Sequence, residues 1–380
     1  MKKVYSLLII IAIIILSSCS KDSSIDSYSG ADFGDDGGDS TGYAGLITAG
    51  EWNDLDNWDF WDDLLAMKDY SLKSEYLDFY TNNRVSVLLK DNSGLAVCNV
   101  QIDLKFKNDI VWTAKTDNFG KAELWVGLFD KQTSIDTKDL TLFVNNIQIS
   151  TAVKLYKDGV NELVTSPQAC GKKVQLSFIV DATGSMGDEI EFLKKDLKDV
   201  IMDVENNNPA LDIYTSTVFY RDIGDAYVVK HSSFTDNISS TISYINNQKS
   251  AGGGDFPEAV HTGLNEAINK LDWSDQAYTR IAFLLLDAPP HYDPQIISEI
   301  HELIKESSKK GIKIIPISAS GIDKDTEFLL RFFSISTNGT YVFITNHSGI
   351  GNDHIEPTVG SYEVEFLNEL MIRLINKYTE

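Results

Sequence analysis

From Val174 onward the chain alternates short apolar runs with longer amphipathic ones, and this alternation limits the fold more than any other feature. Val174-Gln175-Leu176-Ser177-Phe178-Ile179-Val180 is apolar along most of its length and too short for an ordinary helix. Further strand-like runs fall at 211–219, 227–229, 281–286, 312–317 and 341–344. Helix-like segments at 186–205, 257–271, 294–309, 324–335 and 364–377 separate several of them. The pattern indicates an α/β architecture, a doubly wound, mainly parallel sheet covered on both faces. Ligands of such sheets sit beyond the carboxyl ends of the strands, so chemistry is to be sought in the loops that follow them.

Upstream, over 84–165, the apolar period is two. Val85-Ser86-Val87-Leu88-Leu89 precedes a turn at Asp91-Asn92-Ser93-Gly94, and Val100-Gln101-Ile102-Asp103-Leu104 alternates cleanly. Short strands at regular spacing predict a small all-β antiparallel sandwich ahead of the α/β part. Residues 51–83 carry Trp52, Trp58, Phe60, Trp61, Tyr70, Tyr76, Phe79 and Tyr80 among leucines at helix-like spacing. They read as a helical cap packed on the next domain, with an aromatic docking segment as the alternative. Residues 19–50 are mostly Ser, Asp and Gly, as in Gly34-Asp35-Asp36-Gly37-Gly38-Asp39, and read as a flexible tether.

The charge balance narrows the functional classes. With 33 basic against 56 acidic side chains, the formal net charge is −23. That excludes a general nucleic-acid binder and a polybasic grip on anionic lipid, but it suits divalent cations. Three cysteines are too few for a disulfide-built scaffold. Outside the cytoplasm Cys98 and Cys170 would pair and staple the exit of the small domain; two buried free thiols are the alternative.

The loop after the first α/β strand reads Asp181-Ala182-Thr183-Gly184-Ser185-Met186. Alternation on a tight loop aims one carboxylate and two hydroxyls to the same side. These hard oxygen donors suit Mg²⁺, Mn²⁺ or Ca²⁺ rather than zinc. Two later loops add Ala251-Gly252-Gly253-Gly254-Asp255-Phe256-Pro257-Glu258-Ala259 and Leu286-Asp287-Ala288-Pro289-Pro290-His291.

The first loop resembles the D-x-[ST]-x-S element of the metal-ion-dependent adhesion site of von Willebrand factor A domains and integrin inserted domains. "GGGDxPEA" and "DAPPH" resemble the A domains found beside α-kinases and in some extracellular matrix proteins. The resemblance covers 172–380 and implies a metal set of Asp181, Thr183, Ser185, Asp255 and Asp287. Many A domains carry threonine on the second loop. Here that place falls at Gly254 or Asp255, so Asp255 would ligate directly, act through water, or only cap a helix starting at Pro257. The implied function is metal-dependent adhesion: an incompletely coordinated Mg²⁺, or Mn²⁺ or Ca²⁺, takes a carboxylate from a protein or glycan partner such as a matrix or envelope protein. Separately, Thr113-Ala114-Lys115-Thr116-Asp117-Asn118-Phe119-Gly120-Lys121-Ala122 resembles the "TDxxGxA" turn of carboxypeptidase-regulatory-like and immunoglobulin-like modules, which implies a spacer.

At the start, Met1-Lys2-Lys3 and an apolar run from Val4 to Leu16 read as a secretory leader over 1–18, too short to span a bilayer as a helix. Leu16-Ser17-Ser18-Cys19 resembles the lipobox of bacterial lipoproteins, which implies a lipidated Cys19 and a membrane anchor. Ser20 after the cysteine favours the outer membrane by the same resemblance, and Lys21-Asp22-Ser23-Ser24 is similar to short signals for surface export.

An enzyme is not expected. Ser185 lies in Gly184-Ser185-Met186-Gly187, which is not a nucleophile elbow, and the six histidines show no zinc-helix spacing. The alternatives are a metal-dependent hydrolase, with His291 assisting a metal-bound water, and a purely structural A-domain scaffold within an envelope complex.

Overall fold

The computed structural model describes residues 47–131, 134–348 and 354–380. The leader, Cys19 and most of the expected tether lie outside the described residues. Ten elements come first: β1 (Thr48–Trp52), α1 (Trp58–Ala66), α2 (Lys68–Leu77), β2 (Arg84–Asp91), β3 (Gln101–Phe106), β4 (Asp109–Lys115), β5 (Lys121–Trp125), β6 (Leu140–Val144), β7 (Ile147–Gln148) and β8 (Asn161–Thr165). The α/β part follows as β9 (Lys173–Asp181), α3 (Gly187–Asn207), β10 (Asp212–Tyr220), β11 (Val229–His231), α4 (Ile238–Asn246), α5 (Val260–Asn265), β12 (Thr279–Leu286), α6 (Pro294–Lys310), β13 (Ile312–Ser318), α7 (Lys324–Ser336), β14 (Tyr341–Ile344), β15 (Glu365–Phe366) and α8 (Leu367–Lys377).

The large sheet has the order β11-β10-β9-β12-β13-β14-β1-β15. Its five central strands, β10 to β14 in that order, run parallel, while β11 and β1 pair antiparallel at the flanks. Alternate residues of β12 enter two different apolar clusters. Ile281, Phe283 and Leu285 join the side chains of α3 and α8, whereas Ala282, Leu284 and Leu286 join those of α5, α6 and α7. A strand buried on both faces has no polar side to show, which is why these runs read as continuously apolar.

Two smaller sheets stand upstream, ordered β5-β2-β8 and β4-β3-β6-β7. The expectation of wholly antiparallel pairing fails at one place: β8 pairs parallel with β2, Val87 opposite Asn161. The chain leaves β5, builds β6 and β7 in the other sheet, and returns by a long connection. Only a tight hairpin would have forced the antiparallel sense. Apolar residues of both small sheets, among them Val85, Leu89, Leu104 and Trp112, share one cluster with Ile300, Leu303 and Phe328 from the helices of the large sheet. Trp112 Nε1 donates to Ser308 Oγ at 2.9 Å, and Lys313 pairs with Asp117 at 3.1 Å. Cys98 and Cys170 are joined as a disulfide with Cα atoms 5.9 Å apart.

Residues 48–50, read from sequence as tether, lie in β1 instead. Its backbone is hydrogen-bonded within the large sheet: Thr345 N donates to Thr48 O, and Leu367 N to Ile47 O, each at 2.8 Å. Small residues (Thr48, Ala49, Gly50) admit close neighbours here; a Cβ on Gly50 would meet the Phe343 ring at 2.7 Å. Because Ala49 faces Ile344, the chain enters β1 at the carboxyl edge of the parallel strands. Of the aromatic segment that follows, Trp52, Trp58, Trp61 and Phe79 are buried while Tyr76 is exposed. Trp61 stacks on Phe328 with centroids 5.5 Å apart and donates to Thr81 Oγ1 at 2.9 Å.

Candidate functional site

Asp181 is the last residue of β9, and Asp287 directly follows β12. The two strands are adjacent, with Val180 opposite Leu285, so both carboxylates emerge side by side at the sheet's carboxyl edge. The chain then makes a short 3₁₀ turn over Gly184–Met186 before α3 begins at Gly187. That turn folds the first loop over Asp181. Asp181 Oδ1 accepts from the Thr183 amide at 2.9 Å and from Thr183 Oγ1 at 2.7 Å, and Thr183 Oγ1 lies 3.5 Å from Ser185 Oγ. Burial pushes the Asp287 carboxyl up, and the nearby Ser185 hydroxyl opposes that push.

Asp181 is fully buried, yet its Oδ2 has no hydrogen-bond partner, and neither does Oδ1 of the nearly buried Asp287. Burial pushes the Asp181 carboxyl up to about 7, opposed by the Thr183 bonds and reinforced by the Asp287 charge. Unpaired carboxylate oxygens held together out of water are unfavourable unless positive charge is added. Two carboxylates and two hydroxyls are hard donors, and two of the carboxylate oxygens keep lone pairs that no hydrogen bond uses. The donor set therefore fits Mg²⁺, Mn²⁺ or Ca²⁺. Among the described residues no three His, Cys, Asp or Glu side chains gather to bind a metal by themselves, so the two hydroxyls are needed for such a site.

The second loop is zipped onto the first: Ala251 N donates to Ala182 O at 3.0 Å and Gly184 N to Gly252 O at 3.2 Å. Gly252 and Gly253 have φ of 85° and 72°. A Cβ there would strike Asp225 Oδ2 at 2.3 Å and Glu258 Oε1 at 2.7 Å respectively, so this stretch must stay bare. Asp255 is exposed on this loop and makes no described contact with the cluster. Nor does it cap a helix at Pro257. The chain stays extended past Pro257, with Glu258 N bonded to Pro289 O at 2.8 Å, and α5 begins only at Val260 without a side-chain cap. The buried carboxylate of the second loop is Glu258, 3% exposed, with Oε2 unpartnered. Burial and the charges of Asp181, Asp222, Asp225 and Asp287 push it up to about 8.

Other acidic groups crowd the same edge. Glu189, in the first turn of α3, is buried and pushed up to about 8 by that burial. Asp222 Oδ1 accepts a hydrogen bond from His291 Nε2 at 2.9 Å, tying the loop after β10 to the third loop. Asp225 accepts from Gly253 N at 3.0 Å. Sequence reasoning quoted Glu258 within its motif without giving it a role, and passed over Glu189, Asp222 and Asp225. Pro257-Glu258-Ala259 reads locally as a helix start, where Glu is favoured anyway, so its burial had no local signal.

Residues 175–349 match the family model of the von Willebrand factor A domain. Over 119 residues the chain is 31% identical to an ariadne-like RING finger protein of Acanthamoeba polyphaga mimivirus, and over 120 residues 32% identical to the alpha-protein kinase vwkA of Dictyostelium discoideum. Each match covers 31% of this chain, but only 11% and 19% of those relatives. A solved structure, the hypothetical protein BatB from Bacteroides thetaiotaomicron, aligns over 55% of this chain and 98% of its own, at 13% identity and a TM-score of 0.37. The matched part of the chain is thus an A domain, built on a largely parallel sheet with flanking helices and preceded by additional small sheets. An A domain supports a general role in protein interaction or adhesion.

Proposed function

We propose that the chain is a membrane-anchored binding protein that holds a divalent cation at Asp181, Thr183, Ser185 and Asp287 and captures an acidic group of a partner through it. The observation that carries this reading is the pair of unpartnered, buried carboxylate oxygens, Asp181 Oδ2 and Asp287 Oδ1, beside two hydroxyls at one sheet edge. Bound there, Mg²⁺ or Mn²⁺ would supply an electrophilic position open to an outside oxygen. Asp181 and Asp287 neutralise and hold the ion; Thr183 fixes the Asp181 carboxylate through two hydrogen bonds, leaving Oδ2 to the ion. With only two carboxylates and two hydroxyls in the set, the ion is just neutralised and keeps coordination positions that an outside carboxylate can fill. Asp255 is left out of this set, and the buried Glu258 stands behind the glycine loop, close to Gly253.

Anchoring is proposed through lipidated Cys19, in the outer membrane, solely on the strength of the lipobox resemblance and the Ser20 that follows it. Among the described residues no helix is long and apolar enough to cross a membrane. The His291–Asp222 pair is the feature a metal-dependent hydrolase would use as its base, so turnover belongs in the test.

The experiment is a thermal melt of the mature protein with Mg²⁺, Mn²⁺ or EDTA, for wild type and Asp181→Ala, beside turnover assays on esters and phosphate esters. A ligand that binds only the native state raises the melting temperature by linkage. Wild type should melt higher with metal, Asp181→Ala should not, and no turnover should appear. Identical melts for both proteins under all conditions would overturn the reading.

A further inference from the structure

Resting on the metal-binding reading, we infer that the face around the site recognises a polypeptide segment in which one Asp or Glu stands next to a large apolar side chain. Two apolar residues are exposed on the loops that frame the site: Ile223 is 65% exposed and Phe256 is 45% exposed. A single exposed apolar side chain needs no explanation, but these two lie on adjoining loops that are pinned to the site. Arg221, two residues before Ile223, donates from Nε to Ala182 O at 3.1 Å and from Nη2 to Lys249 O at 2.6 Å. Asp225, two residues after it, holds Gly253 N at 3.0 Å, three residues before Phe256. Both apolar tips are therefore carried by backbone that is already fixed, at little ordering cost to a partner that covers them. Next to Phe256 in sequence, the backbone of Gly252-Gly253-Gly254 is exposed throughout, and a Cβ on Gly254 would meet nothing within 4 Å, so a partner's chain can approach Gly254 without meeting side chains.

Charge selects among carboxylate-bearing partners. The chain's formal charge is −23, and Asp222 and Asp225 are close enough to the second loop to act on Glu258 electrostatically. A polyanionic glycan, with a carboxylate on every residue, is repelled everywhere except at the ion. A segment offering one carboxylate flanked by apolar groups avoids that repulsion and buries Ile223 and Phe256 as well. Covering about half of each side chain is worth on the order of tenfold in affinity.

The test is selection of phage-displayed random heptapeptides on the whole mature protein in Mg²⁺, eluted with EDTA, for wild type, Asp181→Ala and the double variant Ile223→Ser/Phe256→Ser. Melting curves check that the double variant folds as wild type does, as expected for two exposed positions. Polygalacturonate serves as the competing acidic glycan. The wild-type pool should be rich in Asp or Glu adjacent to Leu, Ile, Phe, Met or Trp. The double variant should keep the acid and lose the apolar neighbour, its preference dropping by roughly tenfold. Asp181→Ala should yield no EDTA-released pool. An acid-requiring pool indifferent to its neighbours, an unchanged preference in the double variant, or polygalacturonate outcompeting the selected peptides would overturn this inference while leaving the metal reading in place. An empty EDTA-released pool from wild type would overturn both.

Discussion

Asp54→Ala should destabilise the protein by about 3 kcal/mol, because it strands a buried guanidinium. Arg331, in α7, is wholly buried, and Asp54, just past β1, is 2% exposed. They meet in a fork, with Nε to Oδ2 at 2.9 Å and Nη2 to Oδ1 at 2.6 Å. The same Asp54 carboxylate accepts from Trp52 Nε1 at 2.9 Å, so truncation also orphans a buried indole donor. Breaking a buried pair by removing one partner costs about 3–5 kcal/mol. Glu327 is close enough to act on Arg331 electrostatically and retains part of the compensation, which places the expectation at the low end. The assay is urea unfolding of wild type, Asp54→Ala, Arg331→Met and the double variant. The double variant should recover much of the loss, with a coupling energy of roughly 2 kcal/mol, because no lone charge remains buried. A single-variant change within about 0.5 kcal/mol of wild type would refute the claim that residues 48–54 are an integral part of the α/β core.

Two other outcomes follow from the packing. Replacing Cys98 and Cys170 by serine opens a link between residues 72 apart in sequence and should lower stability by about 4 kcal/mol on the chain-entropy model, read by the same unfolding assay. His301 is buried against Phe129, with Nε2 on Leu77 O at 2.9 Å, and burial lowers its basicity. The unfolded chain takes up that proton near pH 6.5 and the folded one only at lower pH, so stability is full above about 6.5 and falls on acidification. A His301→Gln variant should lack that part of the slope, seen as the wild-type-minus-variant difference in unfolding free energy between pH 7.5 and 5.5; an equal slope would contradict it.

The α/β part was legible because its strands are buried on both faces, so that β9 and β12 are apolar nearly residue by residue, and because Tyr341–Ile344 and Pro294–Lys310 end at ordinary turn and cap signals. The Asp181, Thr183, Ser185 and Asp287 positions were legible for a related reason. They follow strand ends, and strand ends were what the pattern located. β1 was not legible. Thr-Ala-Gly-Glu-Trp has little strand character of its own and is fixed by pairing with Ile344 through Tyr341, nearly 300 residues away. The parallel sense of β8 against β2 was hidden likewise, since pairing direction depends on the route of a connection rather than on composition. On the second loop the local pattern does not show which carboxylate is buried: the extended path through Pro257 turns Glu258 inward and leaves Asp255 in solvent.

The central claim is one divalent cation between the ends of β9 and β12. Electron paramagnetic resonance of free Mn²⁺ titrated with the protein measures it directly. The account predicts one bound Mn²⁺ per chain, displaced by Mg²⁺, lost in Asp181→Ala and in Asp287→Ala, and kept in Asp255→Ala. No bound Mn²⁺ in the wild type, or binding that survives the loss of Asp181, would contradict it.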